Sequence, residues 1–274
     1  MDNTAGKVFF TTQDGKVIWN DKLHGVVFDS NKKHSVNSVY DKKYYNDSYI
    51  SKTALRLPHY RKIVDAIQPY ANSDLLDIGS GAGLFLHEAE KQIIHCCGIE
   101  PSSAACKFAK NYCTAEIIND DPLNMPENWN YNKFNIVTIL DVLAHVDFPA
   151  QLLTQCRKYL KENGILVLKT PNHSADFYDY IGKKYAGSSA MCNILAHLPY
   201  QRYGWGISGI TELVTDCGFQ ILTAEPFDEF QTAWKFHFRD IIHPRRILYK
   251  YKLQAAEKFL GFSSILLIAK KSPQ

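Results

Sequence analysis

The chain has 274 residues, a formal net charge of +3 and 46% apolar residues. The length suits one large α/β domain with insertions, or one domain plus a small cap, and the composition is that of a soluble globular protein. So small a charge gives no warrant for nucleic acid as a partner.

Seven cysteines is an odd number, and none forms a Cys-x-x-Cys pair. That argues against a zinc site, which wants ligand pairs at turn spacing, and predicts reduced core thiols and no metal. Met1 to Lys7 is polar and lacks the apolar core of a signal peptide. No apolar run reaches membrane-spanning length. The expectation is a cytoplasmic protein with no transmembrane segment.

Lys7 to Trp19 reads as a hairpin, with apolar runs flanking Gln13-Asp14-Gly15. The next stretch, to about Ser38, is polar and reads as irregular. Asp41 to Tyr49 is rich in tyrosine and reads either as a surface arm or as a lid over a ligand. Tyr60 to Tyr70 has helical spacing at Ile63, Val64 and Ile67. From there strands and helices alternate, which predicts a mostly parallel sheet. The predicted strands are Asp74–Ile78, Ile93–Ile99, Ala115–Ile118, Phe134–Leu140, Ile165–Lys169, Phe219–Ala224 and Ser263–Ala269. Helices are predicted from Leu84, from Ser102 or Ser103, over Gln151 to Leu160, and over Ser208 to Val214 with Ser208 as cap. Two long inserts interrupt the pattern, at about 172–207 and 226–262. This divides the chain into an N-terminal hairpin and arm over 1–50 and an α/β domain over 51–274.

The most informative stretch is Leu75-Leu76-Asp77-Ile78-Gly79-Ser80-Gly81-Ala82-Gly83-Leu84-Phe85. A strand, a glycine-rich turn and a helix bring backbone N–H groups up to a ligand. The dinucleotide fingerprint is G-x-G-x-x-G, but here the third glycine, Gly83, comes one residue early. The later strands also end in acids: Glu100, then Asp120-Asp121, then Asp141. In a doubly wound sheet the ligand lies outside these strand ends. Glu100 stands about twenty residues past the first glycine, which also fits the ribose acid of a nicotinamide enzyme. The register and the many carboxylates argue against a pyrophosphate and for a ligand carrying positive charge.

Asp77-x-Gly79-x-Gly81-x-Gly83 resembles the first motif of class I S-adenosylmethionine-dependent methyltransferases. The resemblance covers about Tyr60 to Ala269 and implies a Rossmann-like, seven-stranded, mostly parallel sheet with helices on both faces. The N-terminal arm and the two inserts would form a cap. It implies S-adenosylmethionine as cofactor and S-adenosylhomocysteine as product. Carried over residue by residue, Glu100 with Pro101 would hold the ribose, and Asp121, Pro122 and Leu123 the adenine. Asp77, Gly79, Ser80, Gly81, Gly83, Leu140 and Asp141 would hold the methionine end, with Tyr45 contributing from the arm.

Asp141-Val142-Leu143-Ala144-His145-Val146 is similar to the motif after strand four of ubiquinone-biosynthesis O-methyltransferases, which typically carry Glu where this chain has Ala144. The departure removes one metal ligand and argues against a quinone. Thr170-Pro171-Asn172 is similar to that group and to methyltransferases of surface-polysaccharide and sugar pathways. His145 is the candidate general base, or a residue that only packs beside the cofactor. His173 and His197 are weaker candidates, and Tyr178, Tyr185, Tyr200, Tyr203 and Trp205 either shape an acceptor pocket or form the core of a cap. Trp234 to Arg239 and Arg245 to Lys252 mix basic and aromatic residues. They suit an anionic acceptor or a membrane surface, or, as preferred here, a helical cap or a contact between two copies of the chain. The reading is a methyltransferase for a small-molecule acceptor, a hydroxyl on a sugar or other metabolite being preferred. A non-catalytic cofactor-binding scaffold and a nicotinamide oxidoreductase are the alternatives.

Overall fold

The computed structural model describes residues 7–12, 15–30, 53–70, 73–93, 95–173, 201–227 and 264–273. The tyrosine-rich arm with Tyr45, the interiors of both inserts with His197, and the basic-aromatic runs lie outside these residues.

Two sheets organise the described chain. The larger has seven strands: β4 (Asp74–Ile78), β5 (His95–Ile99), β6 (Glu116–Ile118), β7 (Phe134–Leu140), β8 (Leu160–Pro171), β10 (Phe219–Phe227) and β11 (Ser264–Lys271). Their spatial order is β10-β11-β8-β7-β4-β5-β6. Neighbours from β8 across to β6 are parallel, and β11 runs antiparallel to both β8 and β10.

Alternation builds a core on each face. Leu75, Ile136, Ile165, Val167, Leu266 and Ile268 pack with α1 (Thr53–Ile67) through Ile63, Val64 and Ile67, and with α2 (Leu84–Ala89). Their neighbours Leu76, Val137, Leu166, Leu168 and Leu267 pack on the other face with α4 (Pro149–Tyr159) and α5 (Ile207–Asp216). A further helix, α3 (Ser103–Ala109), follows β5, and the Ser102 hydroxyl accepts from Ala105 N at 3.3 Å to cap it.

The smaller sheet has the order β1-β2-β3-β9, with β1 at Lys7–Thr12, β2 at Gly15–Asn20, β3 at Gly25–Ser30 and β9 at Tyr203–Gly204. Two expectations are corrected here. The polar stretch after Trp19 contains a strand, because Val26, Val27 and Phe28 are buried and pair with β2, and Val26 and Val27 pair with β9 as well. Ser208 does not cap α5: the helix starts at Ile207, and extended Gly206 holds the cap position without a side-chain bond.

The smaller sheet is fastened by Trp205, wholly buried, whose Nε1 donates to Leu23 O at 2.8 Å. A Cβ on Gly25 would come within 2.5 Å of that indole. His24 lies between Glu212 and Asp216 of α5, at 2.9 and 2.8 Å. Phe28 N donates to Arg202 O at 2.7 Å, and Arg202 N donates to Ala144 O at 2.8 Å. The sheet is thereby tied to the turn that follows β7.

Candidate functional site

The strand register sets the site. Ile78 is level with Ile99 and Ile139, Ile99 with Ile118, and Leu140 with Lys169. The residues that follow these positions therefore form one row along the carboxyl edge. The chain order reverses between β5 and β7, which flank β4, and that is where an open α/β sheet leaves a crevice.

Gly79, Gly81 and Gly83 all have positive φ, at 70°, 55° and 72°. Gly79 N and Ser80 N both donate to Ile99 O, at 2.8 and 3.2 Å, which folds the turn over the end of β5. A Cβ on Gly79 would come within 2.4 Å of Val142 Cγ2. Left-handed backbone and absent space together exclude other residues there.

Glu100 is 6% exposed. Its Oε2 accepts from Gly81 N and its Oε1 from Ser102 N, both at 2.8 Å. Burial raises its carboxyl above the usual range, and the two N–H donors pull against that. Each oxygen retains a lone pair beyond its backbone donor. Asn119 Nδ2 donates to the carbonyls of Glu100 and Pro101, at 2.8 and 3.0 Å, and holds the ends of β5 and β6 together.

Asp77 is buried, and its Oδ1 accepts from Thr138 Oγ1 at 2.6 Å. Burial pushes its carboxyl up to about 7, the Thr138 bond opposes this, and the charge of Glu100 adds to it. Asp121 is exposed, and its Oδ1 accepts from Leu123 N at 2.8 Å. Pro122 is buried, and its carbonyl accepts from Tyr159 OH at 3.3 Å.

Asp141 follows β7 with φ at 59°. Its N donates to Lys169 O at 2.9 Å, and its Oδ2 is paired with the buried Lys169 Nζ. Its Oδ1 is buried without a hydrogen-bond partner, as is Ser80 Oγ. His145 ends the 3-10 turn Leu143–His145, is half-buried, and donates its N–H to Val142 O at 2.9 Å.

Not every sequence candidate joins this row. His173 is buried, with Nε2 at 2.9 Å from Gln201 Oε1 and its ring edge-on to Phe28 at 5.7 Å. Tyr203 and Trp205 are buried and stacked at 5.7 Å, and Tyr203 OH donates to Asp147 O at 2.8 Å. These three belong to the joint between the sheets.

Thr138 and Lys169 escaped the sequence reading. The signal available for both was a polar residue inside an otherwise apolar strand. Among the described residues no group of three His, Cys, Asp or Glu side chains is placed to hold a metal ion. The six described cysteines are free, and burial pushes Cys97, Cys106, Cys113 and Cys217 up to about 11. That is far from a reactive thiolate.

The fold is that of an α/β protein with an acid-lined crevice at its topological switch point. A family model described as a methyltransferase domain matches residues 49–224. The chain is 30% identical over 112 residues to the ubiquinone biosynthesis O-methyltransferase of Glaesserella parasuis serovar 5 (strain SH0165), covering 38% of this chain and 48% of that protein. It spans about half the length of the first curated relatives it matches. An S-adenosylmethionine-dependent methyltransferase from Archaeoglobus fulgidus superposes with a TM-score of 0.58 at 18% identity, over 82% of this chain and all of the other. The 1,6-didemethyltoxoflavin-N1-methyltransferase of Burkholderia thailandensis, solved with bound 1,6-didemethyltoxoflavin and S-adenosylhomocysteine, superposes with a TM-score of 0.57 at 11% identity, over 98% and 100% of the two chains. At these identities the structural likeness is one of fold.

The chain belongs to the class I S-adenosylmethionine-dependent methyltransferase family. S-adenosylmethionine is the cofactor of that family, and the nicotinamide alternative falls with the assignment. No helix among the described residues is long and apolar enough to cross a membrane.

Proposed function

We propose that this protein transfers the methyl group of S-adenosylmethionine to a hydroxyl of a small molecule, a sugar or another metabolite. The observation that carries the reading is the gathering of four acids at the carboxyl edge beside the glycine turn: Asp77 near the end of β4, Glu100 and Asp141 directly after β5 and β7, and Asp121 in the loop after β6. A carboxylate-lined edge suits a ligand with a sulfonium and an ammonium. Two buried oxygens without partners, Ser80 Oγ and Asp141 Oδ1, are capacity that such a ligand would use.

In this reading Glu100 uses its two remaining lone pairs on the ribose hydroxyls, beside Pro101. Asp121 offers its second oxygen to the adenine amino group, with Pro122 and Leu123 along the ring. Asp77, Gly79, Ser80, Gly81, Gly83, Leu140 and Asp141 enclose the methionine end, and Tyr45 contributes from the arm. The bound sulfonium supplies an already activated methyl group. The protein holds the acceptor oxygen in line with it, and His145 takes the hydroxyl proton.

Acceptor recognition falls to segments 174–200 and 228–263 and to the N-terminal arm. Both segments leave and return at the carboxyl edge: one follows β8, and the other joins the paired ends Phe227 and Ser264. The curated relatives' names support O-methylation. Ala144, in place of the glutamate typical of that group, turns the preference from a quinone toward a sugar or other hydroxyl.

Calorimetry with S-adenosylmethionine, S-adenosylhomocysteine and NAD tests the cofactor site, and no binding of either sulfur ligand would sink the reading. Labelled methyl transfer to a panel of sugars, catechols and quinols tests the acceptor. Binding without transfer to any of them would favour the non-catalytic scaffold, and transfer to quinols alone would reverse the acceptor preference.

A further inference from the structure

Lys169 stands where an apolar strand would carry an apolar residue. It ends the run Ile165-Leu166-Val167-Leu168 and is 1% exposed. Ile165 and Val167 belong to the core shared with α1, so strand alternation puts Lys169 on that face. The same alternation from Leu75 and Ile136 puts Asp77 and Thr138 there. Lys169 thus faces the same side as Asp77 and Thr138, two residues nearer the carboxyl edge than their level and beside Leu140.

Its partner is held at two points. Asp141 N donates to Lys169 O at 2.9 Å, and Asp141 Oδ2 is paired with Lys169 Nζ. The left-handed backbone of Asp141, at φ 59°, turns the chain sharply out of β7 and brings the carboxylate back over the strand end. One carboxylate oxygen is thereby fixed. The other, Oδ1, is buried and has no hydrogen-bond partner. A buried carboxylate oxygen without a donor costs free energy, and a ligand that carries a donor would satisfy it.

We propose that Lys169 is a positioning residue that fixes Asp141 so that Oδ1 receives the ammonium of the cofactor's amino-acid end. The pair makes the site selective for ligands that carry that end over the bare adenosine thioether. The inference rests on the cofactor reading above and adds to it a residue with no assigned role. Lysine suits the task because its single ammonium head reaches one oxygen and leaves the second open, where a guanidinium fork would cover both.

The test compares two probes on the full chain by calorimetry: S-adenosylhomocysteine, and 5′-methylthioadenosine, which shares the adenosine and the thioether but lacks the amino-acid end. Lys169→Met keeps the length of the side chain and removes the clasp, and Asp141 is exposed enough, at 40% of its side chain, to rehydrate. For Lys169→Met we expect roughly ten- to a hundredfold weaker binding of S-adenosylhomocysteine and a change within about twofold for 5′-methylthioadenosine. Lys169→Arg, which keeps the charge but whose fork would cover both carboxylate oxygens, should show the same selective loss and serves if Lys169→Met does not fold. Equal weakening of both probes would make Lys169 merely structural and overturn the proposal, as would unchanged binding of both. A parent chain that binds neither probe would overturn the cofactor reading and the proposal with it, which is a different result from a parent that binds both while the variants lose no selectivity.

Discussion

Replacing Asp77 by Asn measures what the site costs the fold. Asp77 is 2% exposed, and burial, opposed by the Thr138 hydroxyl, lifts its carboxyl from 3.8 to about 7. The unfolded chain releases this proton near 3.8, whereas the folded chain keeps it to about 7. Between those values the folded state binds the extra proton, so this group lowers stability as the pH rises through the window. Below the window the penalty is absent, and above it the penalty is constant. At about 1.4 kcal/mol per pH unit, its ceiling is about 4 kcal/mol. Asn keeps the shape and an oxygen for Thr138 and has no charge to desolvate, but its buried amide donors give back part of the gain. We expect ligand-free Asp77→Asn to be about 1–3 kcal/mol more stable than the parent near pH 8, with the gap closing toward about pH 4. Urea unfolding of both proteins across that range reads the gap directly. A variant less stable than the parent near pH 8, or a gap that does not change with pH, would refute the reasoning. The same variant should bind S-adenosylhomocysteine more weakly, because a neutral amide holds an ammonium less well than a carboxylate.

Three further outcomes follow from named contacts. Glu100→Ala should weaken S-adenosylhomocysteine binding by roughly 1–3 kcal/mol in calorimetry, the cost of polar partners left unpaired; unchanged affinity would remove Glu100 from the site. His145→Ala should cut turnover while sparing cofactor affinity, and a normal rate would retire its role as base. Gly209→Ala would drive a Cβ to 2.0 Å from His24 O. It should loosen the smaller sheet at a cost of about 1–3 kcal/mol, read as a lower melting temperature and faster proteolysis near His24, and an unchanged melt would argue that the sheet is held elsewhere.

Much of the larger sheet was legible because its inner strands β4, β7, β8 and β11 are largely buried on both faces and several strands end in an acid or glycine. Asp74–Ile78 and Phe134–Leu140 were expected with the bounds they have. Strand β8 starts earlier than Ile165, at Leu160, because Leu160 pairs with Phe134 and the irregular turn around Asn163 lies inside the strand. β3 was missed because its short apolar run sits among polar residues; it pairs along its whole length with β2, and its other edge is covered at Val26 and Val27 by β9, far along the chain. At the site, the glycines and acids were visible by spacing and chemistry. The clasp between Asp141 and Lys169 was not, since it exists only once β7 and β8 lie side by side in register. His173, Tyr203 and Trp205 had the chemistry of a pocket, but contact with the smaller sheet makes them a joint.

Strand β11 is the last in sequence and yet an inner strand of the sheet, with β8 on one side and β10 on the other. On the ribosome, β8 is complete roughly 90 residues before its partner is made. At about 5–20 residues per second that interval is about 5–20 s. For that time Ile165-Leu166-Val167-Leu168 lacks the strand that pairs with it in the folded protein, and an unpaired apolar edge is a template for pairing with the wrong chain. Substitutions in Ser264–Lys271 should therefore show first in the soluble yield of newly made protein and only afterwards in the equilibrium stability of the molecules that have folded.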